Sequence, residues 1–480
     1  MSVSIVRIAS ENRAKIALAF AALLLFLVPT EYKYDKLFRF FSLDLIPPGL
    51  TLPKHYDKKI YFYISDFLSL GLFSFLLIRM RDLKRRLFLD RGAFFLWILF
   101  SLAFLSIPVS SFAFYAIPYI RLFQLLSPIL LYSFLANADV YTNKEAITRL
   151  LFGALIAAAS LQSMIAITQY FTQNSLGLHF LSEMQFSYGN IRCPCFGMSD
   201  GSRWMIDRLT DRVAPLPILM RAPGTLPHPN ILGGFLMASL IASYAAFIEW
   251  KKWRPLFSLL IPVFFFAMAV TYSRAALFAW GLGTVLWYAL QFKDKGKRLL
   301  FDPLIRKLTY LIIFSFMLSA ALLFQQYTER GGVVNYNATA KGADTVRHVY
   351  CDVAYKMIAR NPALGVGFTQ FSIHSPDYLP PEMAKDRNTT THNIYLFLAS
   401  ETGLFSLSAF LLFIGSLLLA AKKAQISSYT ASLIAIFVAF LFIGGCDFYL
   451  IFAQQGRLLF FSIAGLLAAN VEWRKRERAV

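Results

Sequence analysis

Long hydrophobic runs alternate with shorter polar segments along most of the 480-residue chain. A helix needs about 17 to 25 mostly apolar residues to cross the hydrocarbon core of a bilayer. The chain has such runs at about residues 14–30, 60–78, 92–110, 117–136, 150–170, 229–249, 256–272, 275–291, 308–324, 404–420, 429–446 and 454–470. The polar residues from Thr271 to Arg274 divide one stretch that is too long for a single span. The pattern predicts an all-α polytopic membrane protein with about twelve transmembrane helices.

The basic residues of the connecting segments give this bundle an orientation. The segments 79–91 and 293–307 contain six Lys or Arg each, and 474–478 contains four. All three lie on the same side when twelve spans are threaded, and the positive-inside rule makes that side cytoplasmic. We therefore expect both termini in the cytoplasm. The two longest connections, 171–228 and 325–391, are then outer loops.

This threading divides the chain into three predicted parts. Residues 1–324 form spans one to nine and include the first outer loop. Residues 325–391 form the large outer loop, with a helix expected from about Thr345 to Arg360 followed by a turn at Asn361 and Pro362. Residues 392–480 contain a helix start at the outer surface and spans ten to twelve. The apolar run from Ile16 to Pro29 has no small-residue cleavage site, so we interpret it as a retained first span rather than a signal peptide.

Composition agrees with a membrane location. Hydrophobic residues make up 57% of the chain and charged residues 15%, whereas about a quarter of a soluble domain is charged. The net charge of +20 would suggest nucleic acid in a soluble protein, but here the cytoplasmic connections account for it. The four cysteines lack the spacing of a zinc site. Cys193, Cys195 and Cys351 fall in predicted outer segments. The sequence is compatible there with a disulfide and with free thiols.

One stretch, Thr389 to Gly403, combines a polar start with an apolar continuation. Thr390, Thr391 and Asn393 favour a helix start, which places His392 in the first turn. At 3.6 residues per turn, one face carries His392, Tyr395, Leu396, Ala399 and Gly403, and Glu401 falls on the opposite face. A lone histidine at such a position can simply be packed at the interface. Its role therefore depends on the motifs around it.

Four motifs in order resemble the bacterial O-antigen ligase and polymerase superfamily. They are His392-Asn393 followed after nine residues by Gly403, RAPGTLPHPNILGG from Arg221, TYSRAAL from Thr271, and the run from Arg347 through NPALGVGFTQF. The resemblance covers about 260 C-terminal residues. Leu404 departs from it, because ligases more often have Thr or Val after the glycine. The first 200 residues carry no such motif.

The resemblance implies a GT-C-like, multi-span glycosyltransferase in the bacterial inner membrane, with its active site on the periplasmic side. The expected donor is a glycan on undecaprenyl diphosphate, and the expected acceptor is a sugar hydroxyl. Ligation of O-antigen to lipid A-core is the first expectation. Polymerisation of repeat units and transfer of an oligosaccharide to protein remain alternatives within the family.

The resemblance also assigns roles to individual residues. His392 is expected to be the general base, and the ordinary imidazole pKa of about 6.5 suits that role at neutral pH. Arg274 and Arg347 are expected to bind the departing diphosphate, although an arginine that opens a span can also snorkel to the interface. The remaining predicted residues are Arg221, Asn393 and Tyr395 for substrate binding and Glu401 and Gly403 for support. Glu401 is expected to be structural and paired with an arginine from the outer loops.

Absent motifs narrow the chemistry further. The chain has no Asp-x-Asp, HExxH or Walker sequence, so we predict no metal site and no cofactor. Guanidinium groups can meet diphosphate oxygens two at a time and so replace a divalent cation. We therefore expect a metal-independent, inverting transferase. A transporter or flippase for a lipid-linked or anionic solute is the alternative of another class, although the two halves of the chain differ where many transporters repeat. A membrane scaffold without activity is a third.

Overall fold

The computed structural model describes residues 2–30, 63–82, 90–109, 116–184, 195–197, 218–331, 338–380 and 390–471. Cys193 and the predicted cytoplasmic cluster 474–478 lie outside these ranges. Almost all described regular structure is helical. The helices are α1 (Ser2–Leu27), α2 (Ile64–Asp82), α3 (Arg91–Ser106), α4 (Ala116–Ala136), α5 (Lys144–Thr172), α6 (Pro229–Glu249), α7 (Arg254–Ala269), α8 (Arg274–Lys295), α9 (Arg298–Phe301), α10 (Pro303–Gly331), α11 (Ala338–Arg360), α12 (Phe371–His374), α13 (Ile394–Lys423), α14 (Ser428–Cys446), α15 (Tyr449–Phe452) and α16 (Gln454–Val471).

Two short strands are the exception. β1 (Cys195–Gly197) and β2 (Ile218–Met220) pair antiparallel, with Cys195 opposite Met220. The pair leads directly into the RAPGT segment before α6. The residue after α5 holds the end of β2, because the Met220 N–H donates to Gln173 Oε1 at 2.8 Å.

The fold confirms the predicted all-α polytopic membrane class. Nine helices of the described residues are long and apolar enough to cross a membrane: α3 with the turn after it, α4, α5, α6, α7 with the turn before it, α8, α10, α13 and α14. The three other predicted spans coincide with α1, α2 and α16. α2 carries Asp66, Arg79 and Arg81, and α16 begins with two glutamines and Arg457, so charged or amide residues interrupt the apolar sequence of both.

Helix α6 forms the centre of the bundle. Small and apolar residues cover it all round, and almost every one of them is buried. It packs against α5, α7, α8 and α14, while α13 packs on α3 and α16 on α4. In contrast, α10 leaves large apolar side chains such as Tyr310 and Phe324 exposed, as a lipid-facing helix does. The N-terminus of α6 is therefore a fixed point, and it carries part of the candidate site.

A second, smaller core lies in the segment predicted as the large outer loop. It joins α11, the residues after it and the start of α13 through Tyr350, Val353, Ala354, Met357, Val366, Phe371, Leu379 and Phe397. The helix expected over 345–360 is confirmed and begins earlier, at Ala338. One expectation is wrong: α13 begins at Ile394 with Asn393 as its N-cap, so His392 precedes the helix instead of lying in its first turn.

Candidate active site

His392 and Asp447 face each other where α13 begins and α14 ends. Nδ1 of His392 lies 3.4 Å from Oδ1 of Asp447, an ion-pair distance. The imidazole also packs edge-on against Phe448, with ring centroids 5.3 Å apart. The histidine side chain is 24% exposed and the aspartate side chain 7%. Because Nδ1 faces the carboxylate, Nε2 is the nitrogen left to meet a substrate.

The end of α14 fixes the Asp447 carboxylate. Its backbone N–H caps the helix by donating to the Ile443 carbonyl at 2.8 Å, and Oδ1 accepts the Phe448 N–H at 2.8 Å. Oδ2 accepts a hydrogen bond of 2.7 Å from Asn230 Nδ2. Burial raises the pKa of Asp447, but His392, Asn230 and His228 outweigh it and hold the pKa below its ordinary value. The site therefore contains an ionised carboxylate next to the imidazole.

Asn230 connects this pair to Arg221. The arginine donates a close hydrogen bond from Nη2 to Asn230 Oδ1 and a 2.8 Å bond from Nε to the Thr271 carbonyl. His228 caps α6, since its Nδ1 accepts the Asn230 N–H at 3.1 Å. Arg221 is buried among these partners. Its contacts hold three chain segments together, and its expected part in substrate binding remains a prediction.

Arg274 begins α8. It directly follows the turn in which the Thr271 carbonyl accepts a hydrogen bond from Arg221. Ser273 caps the helix by accepting the Ala276 N–H, and the Arg274 side chain is exposed. Tyr272 lies in the left-handed region with φ 50°, which non-glycine residues rarely adopt. The Tyr272 ring is buried and packs on Tyr327 with centroids 5.1 Å apart. Packing therefore holds the strained turn that presents Arg274.

Arg347 reaches the site from α11. It is half-buried, and its charge acts on Cys446, the residue before Asp447. One helical turn further along α11, Cys351 Sγ lies 3.6 Å from Thr391 Oγ1, beside His392. The structure thus brings α11, the His392 segment and the end of α14 together. Gly445 and Cys446 are exposed, so this region is open to the surface.

Asn393 and Tyr395 fasten α13 to α14. Asn393 accepts the N–H groups of Tyr395 and Leu396 at 2.9 and 3.1 Å, and its Nδ2 donates to the Gly445 carbonyl at 3.3 Å. The Tyr395 hydroxyl donates to the Leu441 carbonyl at 3.0 Å. Both residues border the site through contacts with the protein itself. Their assignment to substrate binding remains a prediction.

Glu401 lies away from His392, as its helical position predicts. It is 3% exposed and binds the backbone of Thr369 and Phe371. The cation that acts on it is Arg121, which lies on α4. The expectation that it pairs with an arginine from an outer loop remains a prediction.

Sequence reasoning missed Asp447 and Asn230. Asn230 stands inside the RAPGTLPHPNILGG motif, and Asp447 directly follows the run 429–446. An acidic residue after a span is an ordinary interfacial residue in sequence. Only the approach of α14 to the start of α13 makes it a partner of His392.

Comparison with known families agrees with this geometry. Residues 259–411 match the family model described as O-antigen ligase. This match supports an O-antigen ligase/polymerase-type family. The matched region contains Arg274, Arg347 and His392, whereas Arg221, Asn230 and Asp447 lie outside it. No curated protein matches the chain.

The family and the nine apolar helices together support a multi-pass membrane enzyme of the glycosyltransferase-like ligase kind. In general terms, the partners of such a family are a lipid-linked glycan and an acceptor.

Proposed function

We propose that the protein transfers a glycan from undecaprenyl diphosphate to a sugar hydroxyl on the periplasmic side of the bacterial inner membrane. O-antigen ligation to lipid A-core is the reaction that we propose. One observation carries the proposal: His392 is paired with a buried, ionised Asp447 at an open surface that Arg347 also borders. A base and a cation at one opening suit attack by a hydroxyl and departure of a diphosphate.

The proposed reaction is a single displacement. The acceptor oxygen attacks the anomeric carbon while the bond from that carbon to the diphosphate oxygen breaks, and the electron pair leaves with the diphosphate. His392 Nε2 takes the hydroxyl proton, and Asp447 stabilises the imidazolium from the Nδ1 side. Attack opposite the leaving group inverts the anomeric configuration.

The leaving group needs positive charge on several oxygens. Arg347 and Arg274 supply guanidinium groups, which bind two oxygens at once. Arg274 stands at the N-terminus of α8, where the backbone N–H groups and the helix dipole also favour an anion. We propose that these groups make transfer independent of a metal ion, since the chain has no Asp-x-Asp sequence.

The decisive experiment measures transfer by purified protein with a defined undecaprenyl-diphosphate-linked glycan. His392→Ala should reduce turnover by about 10²–10⁴-fold, the usual contribution of positioned general-base catalysis. Expression and donor binding should stay unchanged, and wild-type transfer should continue in excess EDTA.

His374→Ala is the matched control, because His374 lies 3.9 Å from Asp377 in a second histidine–aspartate pair outside the site. It should retain full activity. Wild-type turnover in His392→Ala would remove the proposed base. Loss of wild-type transfer in EDTA with rescue by Mg²⁺ or Mn²⁺ would remove metal independence.

The acceptor distinguishes the family alternatives. Lipid A-core, a second lipid-linked repeat unit and a protein acceptor should be offered side by side. Product on lipid A-core supports ligation, and product on either of the others identifies a polymerase or a protein oligosaccharyltransferase. Movement of the donor across vesicles without any product would instead favour a transporter or flippase.

A further inference from the structure

Helix α13 is broken where the outer segment docks on it. Gly403 has φ 83° and ψ 174°, which is outside the helical region. Its neighbour Leu404 donates to the Pro362 carbonyl at 2.8 Å instead of to its own helix. In return, the Val366 N–H binds the Ser400 carbonyl and the Gly367 N–H binds the Glu401 carbonyl, each at 2.9 Å. Loop 361–371 thus replaces the hydrogen bonds that the break removes.

Glu401 holds the same loop with its side chain. Oε2 accepts the Thr369 N–H at 2.9 Å and Oε1 accepts the Phe371 N–H at 3.0 Å. The Glu401 side chain is buried, where a backbone N–H that loses its acceptor is left unsatisfied at a substantial free-energy cost. One residue therefore uses its backbone carbonyl and both carboxylate oxygens to bind a single loop.

The loop is continuous with α11, which carries Arg347. The Asn361 N–H still donates to the Met357 carbonyl at 2.9 Å, so the loop begins as an extension of the helix. The second core packs α11 and the loop against Phe397 of α13, with ring centroids of Phe371 and Phe397 6.1 Å apart. Any displacement of the loop from Glu401 would therefore displace α11 relative to α13.

Glu401 also faces the main bundle. Its side chain lines a small cavity with Arg121 and Arg457, and the charge of Arg121 acts on it. Arg121 in turn lies over the Phe452 ring, 5.9 Å from its centroid, in the helix that follows Asp447 and Phe448. The Glu401 side chain thus lies between two parts of the molecule. One is the second core with α11 and loop 361–371, and the other is the helical bundle that holds Asp447.

We propose that Glu401 is a positioning residue that sets Arg347 against the His392–Asp447 pair by holding loop 361–371. The inference rests on the proposed function, since it gives Arg347 a task in transfer. Glu401 does not touch substrate. It acts through α11, and its effect on catalysis is exerted through Arg347.

The test begins with Glu401→Gln, which retains the size of the side chain. An amide nitrogen cannot accept an N–H, so one of the two loop bonds is lost. Turnover should fall by about 10- to 100-fold, the equivalent of one buried N–H left without an acceptor, with a smaller change in KM for the acceptor. Glu183→Gln is the matched control, because Glu183 is also buried and accepts two backbone N–H groups, from Leu176 and Leu178. It should stay within about twofold of wild type, since its partners Gln169, Leu176 and Leu178 belong to neither α11 nor loop 361–371.

Coupling separates positioning from general support of the fold. In an Arg347→Lys background, Glu401→Gln should cost less than about threefold, because both changes act on one interaction. The inference would be overturned if the loss of turnover in the double variant equalled the product of the losses in the two single variants. An equal loss in Glu183→Gln would do the same.

A distance measurement tests the position without any reaction. Spin labels at Tyr355 on α11 and Leu411 on the inner part of α13 are both at exposed sites, and the four native cysteines are replaced by serine. Glu401→Gln should broaden or shift their distance distribution, and Glu183→Gln should not. An unchanged distribution overturns the inference. If wild-type protein transfers no glycan, the proposed function fails, and the label distances still decide whether Glu401 holds α11.

Discussion

At the residue scale, Asp447 determines what His392 can do. The carboxylate lies 3.4 Å from Nδ1, which favours the proton on that nitrogen and leaves Nε2 to accept another. Asn230 and the Phe448 N–H occupy the carboxylate from other directions and fix its orientation. A base needs both the correct tautomer and a stabilised conjugate acid. Under the proposed mechanism, Asp447 supplies both.

Replacing this carboxylate with an amide should therefore impair catalysis while the shape of the site is preserved. Asp447→Asn can present either an oxygen or an NH₂ group to His392, and it no longer stabilises the imidazolium. We expect turnover to fall by about 10²–10⁴-fold, as for loss of a positioned base, with donor binding little changed. Asp377→Asn is the control, because that exposed carboxylate pairs with His374 outside the site. Equal activity of the Asp447 variant and wild type would show that His392 needs no orienting partner.

The two arginines can be distinguished from membrane anchors by a substitution that keeps the charge. Arg274→Lys retains a cation at the start of α8 but loses the planar fork that meets two phosphate oxygens. Transfer should fall at least about tenfold, which corresponds to about 1.4 kcal/mol of transition-state stabilisation. Arg298→Lys provides the comparison, since Arg298 is also exposed and also begins a helix. A snorkelling Arg274 would tolerate lysine equally well.

Sequence patterns single out residues that stand in a local motif, but they do not show contacts between distant parts of the chain. His392, Arg274 and Arg347 stand in motifs that resemble one family, and the matched family region contains all three. Asp447 has no such signal, because its role depends on a partner 55 positions earlier in the chain (447 − 392). The proximity of Arg121 to Glu401 has no signal in the sequence for the same reason. Arg121 belongs to α4, whose apolar pattern indicates a span and nothing about its neighbours.

At the scale of elements, the sequence pattern of α13 predicts where the helix begins but not where it is broken. Polar residues before Ile394 correctly indicate a helix start, and Asn393 provides the N-cap by binding two N–H groups. The break at Gly403 leaves no trace in the apolar pattern, because hydrophobic residues continue on both sides. A glycine inside an apolar helix is usually a close-packing site. Here its positive φ is required by loop 361–371.

Gly403→Ala should therefore disrupt the docking of that loop. A Cβ at this position would collide with the Ala363 carbonyl, and φ 83° disfavours any L side chain. We expect a lower melting temperature and loss of transfer. Gly415→Ala, in the same helix with open space around its Cα, should be neutral or slightly stabilising. Comparable melting temperatures for the two variants would mean that the break in α13 is dispensable.

At the scale of the whole molecule, each span predicted from hydropathy overlaps one described helix. Nine of the described helices are long and apolar enough to cross a membrane. Two of the other three predicted spans, α2 and α16, contain charged or amide residues. Those polar residues have structural partners: Gln454 donates to Asp66 at 2.8 Å and accepts from Arg457 at 2.6 Å. Hydropathy alone could not predict these hydrogen bonds. Polar residues that pair between buried helices simply lower the mean hydropathy of each helix.

The sidedness of the molecule follows from charge and can be tested directly. The basic residues of the connection 293–307 predict a cytoplasmic α8–α10 junction, so we expect α11 and the His392 segment to face the periplasm. Lys297 and Lys356 are exposed lysines in these two regions. In a cysteine-free background, Lys356→Cys should react with a membrane-impermeant maleimide once the outer membrane is permeabilised, and Lys297→Cys should react only after the inner membrane is opened. Both should label equally in detergent, which controls for intrinsic reactivity. The reverse pattern would place His392 and Arg347 in the cytoplasm, where a donor already moved to the outer face could not reach them, and the proposed transfer would then have no substrate on its side of the membrane.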